Sequence, residues 1–161
     1  MQSDLLQPFV DSAVRVLAQM LPGTVAHEEP SEESDLSVAA EGVAALVPVH
    51  GDAAGVAMYC MSRGTALAVA GALIGKPLAG LDRVAASCIT EVANIITGNA
   101  MAALEARGCG CDILPPSLLA GHGLQVTLTT PTPTFVVQTG HGPITVNVAL
   151  TSQNGNGRGA R

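Results

Sequence analysis

Glu91 and Asn94 are the residues whose type and spacing come nearest to a chemical site. They lie in a segment from about Leu81 to Arg107 whose apolar residues recur with helical period. Three positions apart on a helix, two side chains are surface neighbours. Wound at about 100° per residue, Ala85, Cys88, Ile89, Val92, Ile95, Ile96 and Ala103 fall on one side, the stripe expected to face a core. Ser87, Glu91, Asn94, Gly98 and Glu105 gather in a narrow sector nearly opposite. A carboxylate can pair with a cation. A carboxamide can hold water by donating and accepting together. Gly98, one turn beyond Asn94, removes a side chain at a cost of up to about 1 kcal/mol against alanine, and close approach by another surface is one use for that gap. The plain alternative is a solvated helix face, on which Glu and Asn need no function.

The rest of the chain offers less. It has no nucleophile–base pair, His–carboxylate unit, glycine-rich phosphate loop or spaced set of metal ligands. Cys60 and Cys88 sit in apolar stretches and read as buried thiols. Cys109-Gly110-Cys111 is the one close pair. A metal would need two more ligands, and only His122 is near in sequence, so loop thiols and no metal site are expected.

The elements that must position the acid and the amide follow from punctuation and period. Pro8 to Met20 predicts a first helix, with Pro8 in its first turn and Leu21-Pro22-Gly23 as its stop. Residues 24–36 predict an acidic, mobile loop. Val38–His50 and Gly55–Met61 predict a hairpin about Gly51-Asp52. Ser62 is a good N-cap for a helix over Arg63–Ile74 that stops at Gly75, and Pro77 breaks the chain. The long helix carries Arg107 in its last turn and Gly108 beyond it. Strands follow at Gln125–Thr129, Thr134–Thr139 and Pro143–Leu150, the last two joined through Gly140-His141-Gly142. Residues 151–161 predict a disordered tail. The order lacks regular strand–helix alternation. It predicts a single α+β domain over residues 1–150, a mostly antiparallel sheet with about three helices on one face.

Composition excludes several partners. The 161 residues carry a formal charge of −6, and Glu28, Glu29, Glu32, Glu33 and Asp35 concentrate most of it in one run. The body is nearly neutral, with Lys76 its only lysine and no basic stripe, so neither nucleic acid nor an anionic membrane surface is an expected partner. The apolar run Ala66–Ile74 is too short to span a bilayer, and the N-terminus, with Asp4 and no basic run, does not read as a signal peptide. A cytoplasmic protein is expected. Aromatic residues are only 2%, so Ala, Val, Leu and Ile must build the core.

The stretch Glu91-Val92-Ala93-Asn94-Ile95-Ile96-Thr97-Gly98-Asn99-Ala100 resembles the active helix of the CheC/CheX-type chemotaxis phosphatases. That family's pattern is Glu-x-x-Asn followed by Gly-Asn, with an acidic residue or Ser one turn earlier, the place of Ser87. Pro115-Pro116, the Pro-Phe-Val-Asp-Ser-Ala segment at residues 8–13 and the glycines at 51 and 55 also fit, so the likeness spans nearly all of residues 8–150. One such helix, not two, points to the CheX-like branch.

The resemblance implies a hydrolase acting on the aspartyl phosphate of a CheY-type response-regulator receiver domain. Asn94 would orient the attacking water and Glu91 would pair with the receiver's Lys. Ser87 and Gly98 would line the docking face. It implies no cofactor of the chain's own, Mg²⁺ supplied by the receiver, and a homodimer formed through strand exchange. Asn99 is expected to turn toward the core and make a structural hydrogen bond, and Pro115 and Pro116 to shape a helix–strand turn. Two other readings stay open: a non-catalytic receiver-binding or signalling module of the same fold, and a structural subunit pairing through its last hairpin.

Overall fold

The computed structural model of the protein describes residues 2–23, 25–37 and 41–153. Three helices, α1 (Gln2–Met20), α2 (Arg63–Ile74) and α3 (Arg83–Ala106), accompany eight strands. These are β1 (Ala26–His27), β2 (Ser31–Ser37), β3 (Glu41–Gly51), β4 (Ala53–Ser62), β5 (Cys111–Ile113), β6 (Ser117–His122), β7 (Gln125–Thr139) and β8 (Gly142–Ser152). They form one sheet in the order β1-β7-β8-β4-β3-β5, with β2 also on β7 and β6 also on β3. Every pairing is antiparallel, and the fold is α+β as expected.

Strand alternation gives the sheet two unlike faces. Val43, Ala45, Val47, Ala57, Tyr59, Phe135, Ile144 and Val146 belong to the layer that packs with the helices. The chain's three aromatic residues, Phe9, Tyr59 and Phe135, are all buried there. On the other face Ala44, Met58 and Cys60 lie under Leu124, Val126 and Leu128. The first half of β7 and the residue before it supply that cover.

Several sequence expectations change. Helix α1 begins well before Pro8, because Leu5 and Leu6 are buried and extend its apolar face. Pro8 thus lies inside the helix, where it has no N–H to offer the Asp4 carbonyl. Arg107 Nη1 donates to that carbonyl oxygen at 3.3 Å. The acidic segment expected as a loop forms β1 and β2, paired with β7 through Ala26↔Gln138 and Ser31↔Thr134. A strand partner distant in sequence organises it, which composition cannot signal. The strand expected from Val38 begins at Glu41; residues 38–40 lie outside those described.

The two strands expected in 125–139 are one continuous β7, and Ser117–His122 is a separate strand before it. Pro115 and Pro116 therefore link β5 to β6 instead of joining a helix to a strand. Of the expected tail, Thr151 and Ser152 pair with Ala54 and Ala53, while residues 154–161 lie outside those described.

Candidate functional site on the outer ridge of α3

Helix α3 is fixed at both ends by its own sequence. Asp82 is the N-cap, its Oδ1 accepting the Ala85 N–H at 2.8 Å. At the other end Gly108 adopts a φ of 87°, and the Cys109 N–H returns to the Leu104 carbonyl at 2.9 Å. This is the glycine-terminated turn that the Arg107-Gly108 pattern predicts. Between these ends Ala85, Ile89, Val92, Ala93, Ile96, Thr97, Ala100, Met101 and Leu104 are buried. α3 packs between α1 and α2.

The predicted ridge exists. Ser87 and Glu91 are exposed, and Asn94 and Gly98 are half-buried. Among the described residues no side chain pairs with Glu91. Asn94 lies one turn on, its Oδ1 buried and without a hydrogen-bond partner. A Cβ on Gly98 would meet Ile113 Cδ1 at 3.8 Å, an ordinary contact, so nothing in the chain itself demands glycine there.

Ile95, expected in the core, is 37% exposed, because its position on the wheel lies closer to Glu91 than to the buried stripe. Asn99 is exposed and makes no side-chain hydrogen bond among the described residues, correcting the coreward placement. Cys88 is half-buried rather than buried.

Sequence reasoning missed the apolar collar of the ridge. Val84 is 58% exposed and Leu73, from the last turn of α2, is 42% exposed. With Arg83, Ser87, Cys88 and Glu91 they line an open groove of about 460 Å³ between α2 and α3. The available signal was the position of Val84 on the wheel, almost in line with Glu91. Nothing in sequence could have brought Leu73 alongside.

The Cys109–Cys111 pair does something different. Its sulfurs lie 3.8 Å apart, Cys111 Sγ accepts the Ala53 N–H at 3.3 Å, and the Gly110 N–H donates to Asp52 Oδ2 at 2.9 Å. These bonds tie the turn after α3 to the β3–β4 turn. Burial, aided by contact with Cys111, pushes the Cys109 thiol up to about 11. His122 lies instead 3.9 Å from Glu41. Among the described residues no three His, Cys, Asp or Glu side chains are grouped to hold a metal ion, and no helix is long and apolar enough to cross a membrane.

The protein is thus a small helix-on-sheet domain that carries an acid and an amide on one outward helical ridge, beside an open groove. Comparison with known proteins gives that class a family. Residues 43–139 match the family described as chemotaxis phosphatase CheX, more than half of the chain, and the protein belongs to that family. It is 26% identical over 127 residues to the CheY-P phosphatase CheX of Thermotoga maritima, covering 78% of this chain and 81% of that protein. Its fold superposes with a TM-score of 0.81 on a chemotaxis protein CheX from Desulfovibrio desulfuricans, at 24% identity over 93% of this chain and 99% of that one. It is similar also to a chain of the CheX-CheY-BeF3-Mg complex from Borrelia burgdorferi, with a TM-score of 0.77 and 28% identity over 92% and 99% of the two chains.

Proposed function

We propose that the protein is an aspartyl-phosphate phosphatase that dephosphorylates a CheY-type receiver domain, with Asn94 and Glu91 as the two residues it inserts into the receiver's site. The observation that carries this reading is the ridge itself: a free carboxylate and an amide one turn apart on the outer face of α3, in a chain of the CheX family. The Thermotoga relative named as a CheY-P phosphatase and the Borrelia complex of CheX with CheY, BeF3 and Mg point the same way.

The chemistry fits so short a residue list. Phosphoryl transfer to water asks mainly for positioning and for stabilisation of spreading charge. The receiver holds the Mg²⁺ and a Lys, which answer for the charge. On this reading the Mg²⁺ is the receiver's, and the two residues supplied by this chain act without a cofactor of their own. Asn94 accepts a hydrogen bond from the attacking water through its C=O or donates one to the water oxygen through its NH₂, and needs no titration to do so. A carboxylate aimed at the phosphoryl group would be repelled; Glu91 instead pairs with the receiver's Lys and sets the register of docking. Ser87 and Gly98 lie on the face that meets the receiver, flanked by Val84, Leu73 and Ile95. On this reading the activity is cytoplasmic.

The same reading includes a homodimer. β7 leaves β8 after Thr134↔Asn147 and turns to β2, while β8 runs on to Ser152 held by β4 alone among the described residues. An unpaired strand edge is a template for a second chain, and exchange of the β2–β7 arm would use it. The mass of the protein in solution checks this part.

The deciding experiment adds the purified protein to a panel of CheY-type receivers phosphorylated with acetyl phosphate and follows phosphate loss. Shortened lifetime of at least one phospho-receiver is the expected result. Binding with an unchanged lifetime would establish the non-catalytic module in its place.

A further inference from the structure

The core beneath α3 is almost wholly apolar, and its few buried hydroxyls are not scattered. Ser12 of α1, Tyr59 of β4 and Thr97 of α3 are each 2% exposed or less. Ser12 Oγ donates to the Ile96 carbonyl oxygen at 2.7 Å. Thr97 Oγ1 donates to the Ala93 carbonyl oxygen at 2.7 Å. Its single proton spent there, Thr97 Oγ1 can only accept from the Tyr59 hydroxyl, 2.7 Å away. Two other elements thus bond to α3 close to Asn94: α1 at the Ile96 carbonyl through Ser12, and β4 at the Thr97 hydroxyl through Tyr59, while Thr97 itself bonds the Ala93 carbonyl within the helix. The other buried polar side chains go elsewhere: Thr65 bonds the His141 carbonyl, and Thr132, Thr134 and Asn147 bond one another.

We propose that Ser12, Tyr59 and Thr97 are positioning residues, a buried hydroxyl clamp that fixes the roll and height of α3 so that Glu91 and Asn94 stand in reactive register. The proposal rests on the phosphatase reading for its kinetic consequences, though not for its mechanics.

The physical case is one of direction. Ala85, Ile89, Val92, Ala93 and Ile96 belong to the apolar cluster shared with the sheet, and apolar burial is non-directional. Small side chains leave a helix free to roll slightly at little cost. Hydrogen bonds are directional, and these end on the Ile96 carbonyl and on the Thr97 hydroxyl, which is itself bonded to the Ala93 carbonyl, all within a turn of Asn94. The reaction is sensitive to that freedom: a misplacement of about 1 Å in a reacting geometry can cost about a hundredfold in rate. Stability alone does not account for the clamp, since replacing both partners of a buried hydrogen bond by apolar isosteres is nearly neutral.

The test uses that last point. Thr97→Val alone strands the Tyr59 hydroxyl and should lower Tm. Adding Tyr59→Phe removes the stranded group and should restore most of the lost Tm, yet kcat on a phosphorylated CheY-type receiver should remain at least about tenfold below wild type with KM within about twofold. Thr97→Ser, which keeps the hydroxyl, should return kcat. A double variant with wild-type kcat overturns the clamp. Hydrogen exchange judges it without catalysis: amides 93–98 of the double variant should exchange at least about tenfold faster, with α1 and β8 unchanged, and equal exchange overturns it. A wild-type protein inert on every receiver would defeat the phosphatase reading and leave the exchange measurement to decide the clamp.

Discussion

Glu91 and Asn94 share one turn of α3 but not one depth: Glu91 stands free at the surface, while the Oδ1 of Asn94 is sealed from solvent without a hydrogen-bond partner. A buried, unpaired carbonyl oxygen costs roughly 1–3 kcal/mol. Turning the amide about its Cβ–Cγ bond exchanges the oxygen for the NH₂ group, so the side chain has a reason to reorient once a partner and a water reach it.

The two residues should therefore fail differently. Asn94→Ala should lower kcat on a phosphorylated CheY-type receiver by about a hundredfold or more, with a modest change in KM, because only water positioning is lost. Glu91→Ala should raise KM and lower kcat together, because docking and register are both lost. Steady-state dephosphorylation kinetics of the two variants separate the roles. Wild-type rates in both would sink the assignment.

The apolar collar should govern docking without touching the chemistry. Val84→Asp or Leu73→Asp places a charge on a side chain already 58% or 42% exposed, so folding should survive. KM should rise at least about tenfold while kcat changes little, as for removal of uniform binding. Titration of receiver binding to each variant checks the same point without turnover.

Gly55 should be irreplaceable for a backbone reason. It adopts a φ of 147°, and a Cβ there would collide with the Ala149 carbonyl of β8, to which β4 is paired. Strain and collision add, so Gly55→Ala should destabilise the fold by about 3 kcal/mol or more. Gly75→Ala, at a helix cap where nothing lies within 4 Å, should cost about 1 kcal/mol. Urea unfolding of the pair measures the difference.

Cys60 should report the integrity of the far face of the sheet. Burial raises its thiol from an ordinary value of 9.0 to about 11. The thiolate is then scarce at neutral pH, and alkylation should stay slow until the fold opens. The sign for stability follows. Between about 9 and about 11 the folded state holds a proton the unfolded chain has lost, so this group's contribution is complete below pH 9 and declines toward pH 11. In Cys60→Ala the fall in Tm over that window should be smaller than in wild type.

What the chain determined by itself was local. The α3 ridge was legible because helical period sets which residues share a face, whatever the face then meets. Ser62, Gly75 and Gly108 marked helix ends because caps and left-handed turns are satisfied by neighbours a few residues away. Only the tertiary structure decided the rest. The acidic run became β1 and β2 because β7, about a hundred residues on, offered it an edge. Pro8 sits inside a helix because Leu5 and Leu6 before it are buried, and Arg107 bonds the carbonyl it orphans. Leu73 reached Glu91, and Tyr59 reached Thr97, through packing between elements, and such contacts leave no period in a sequence.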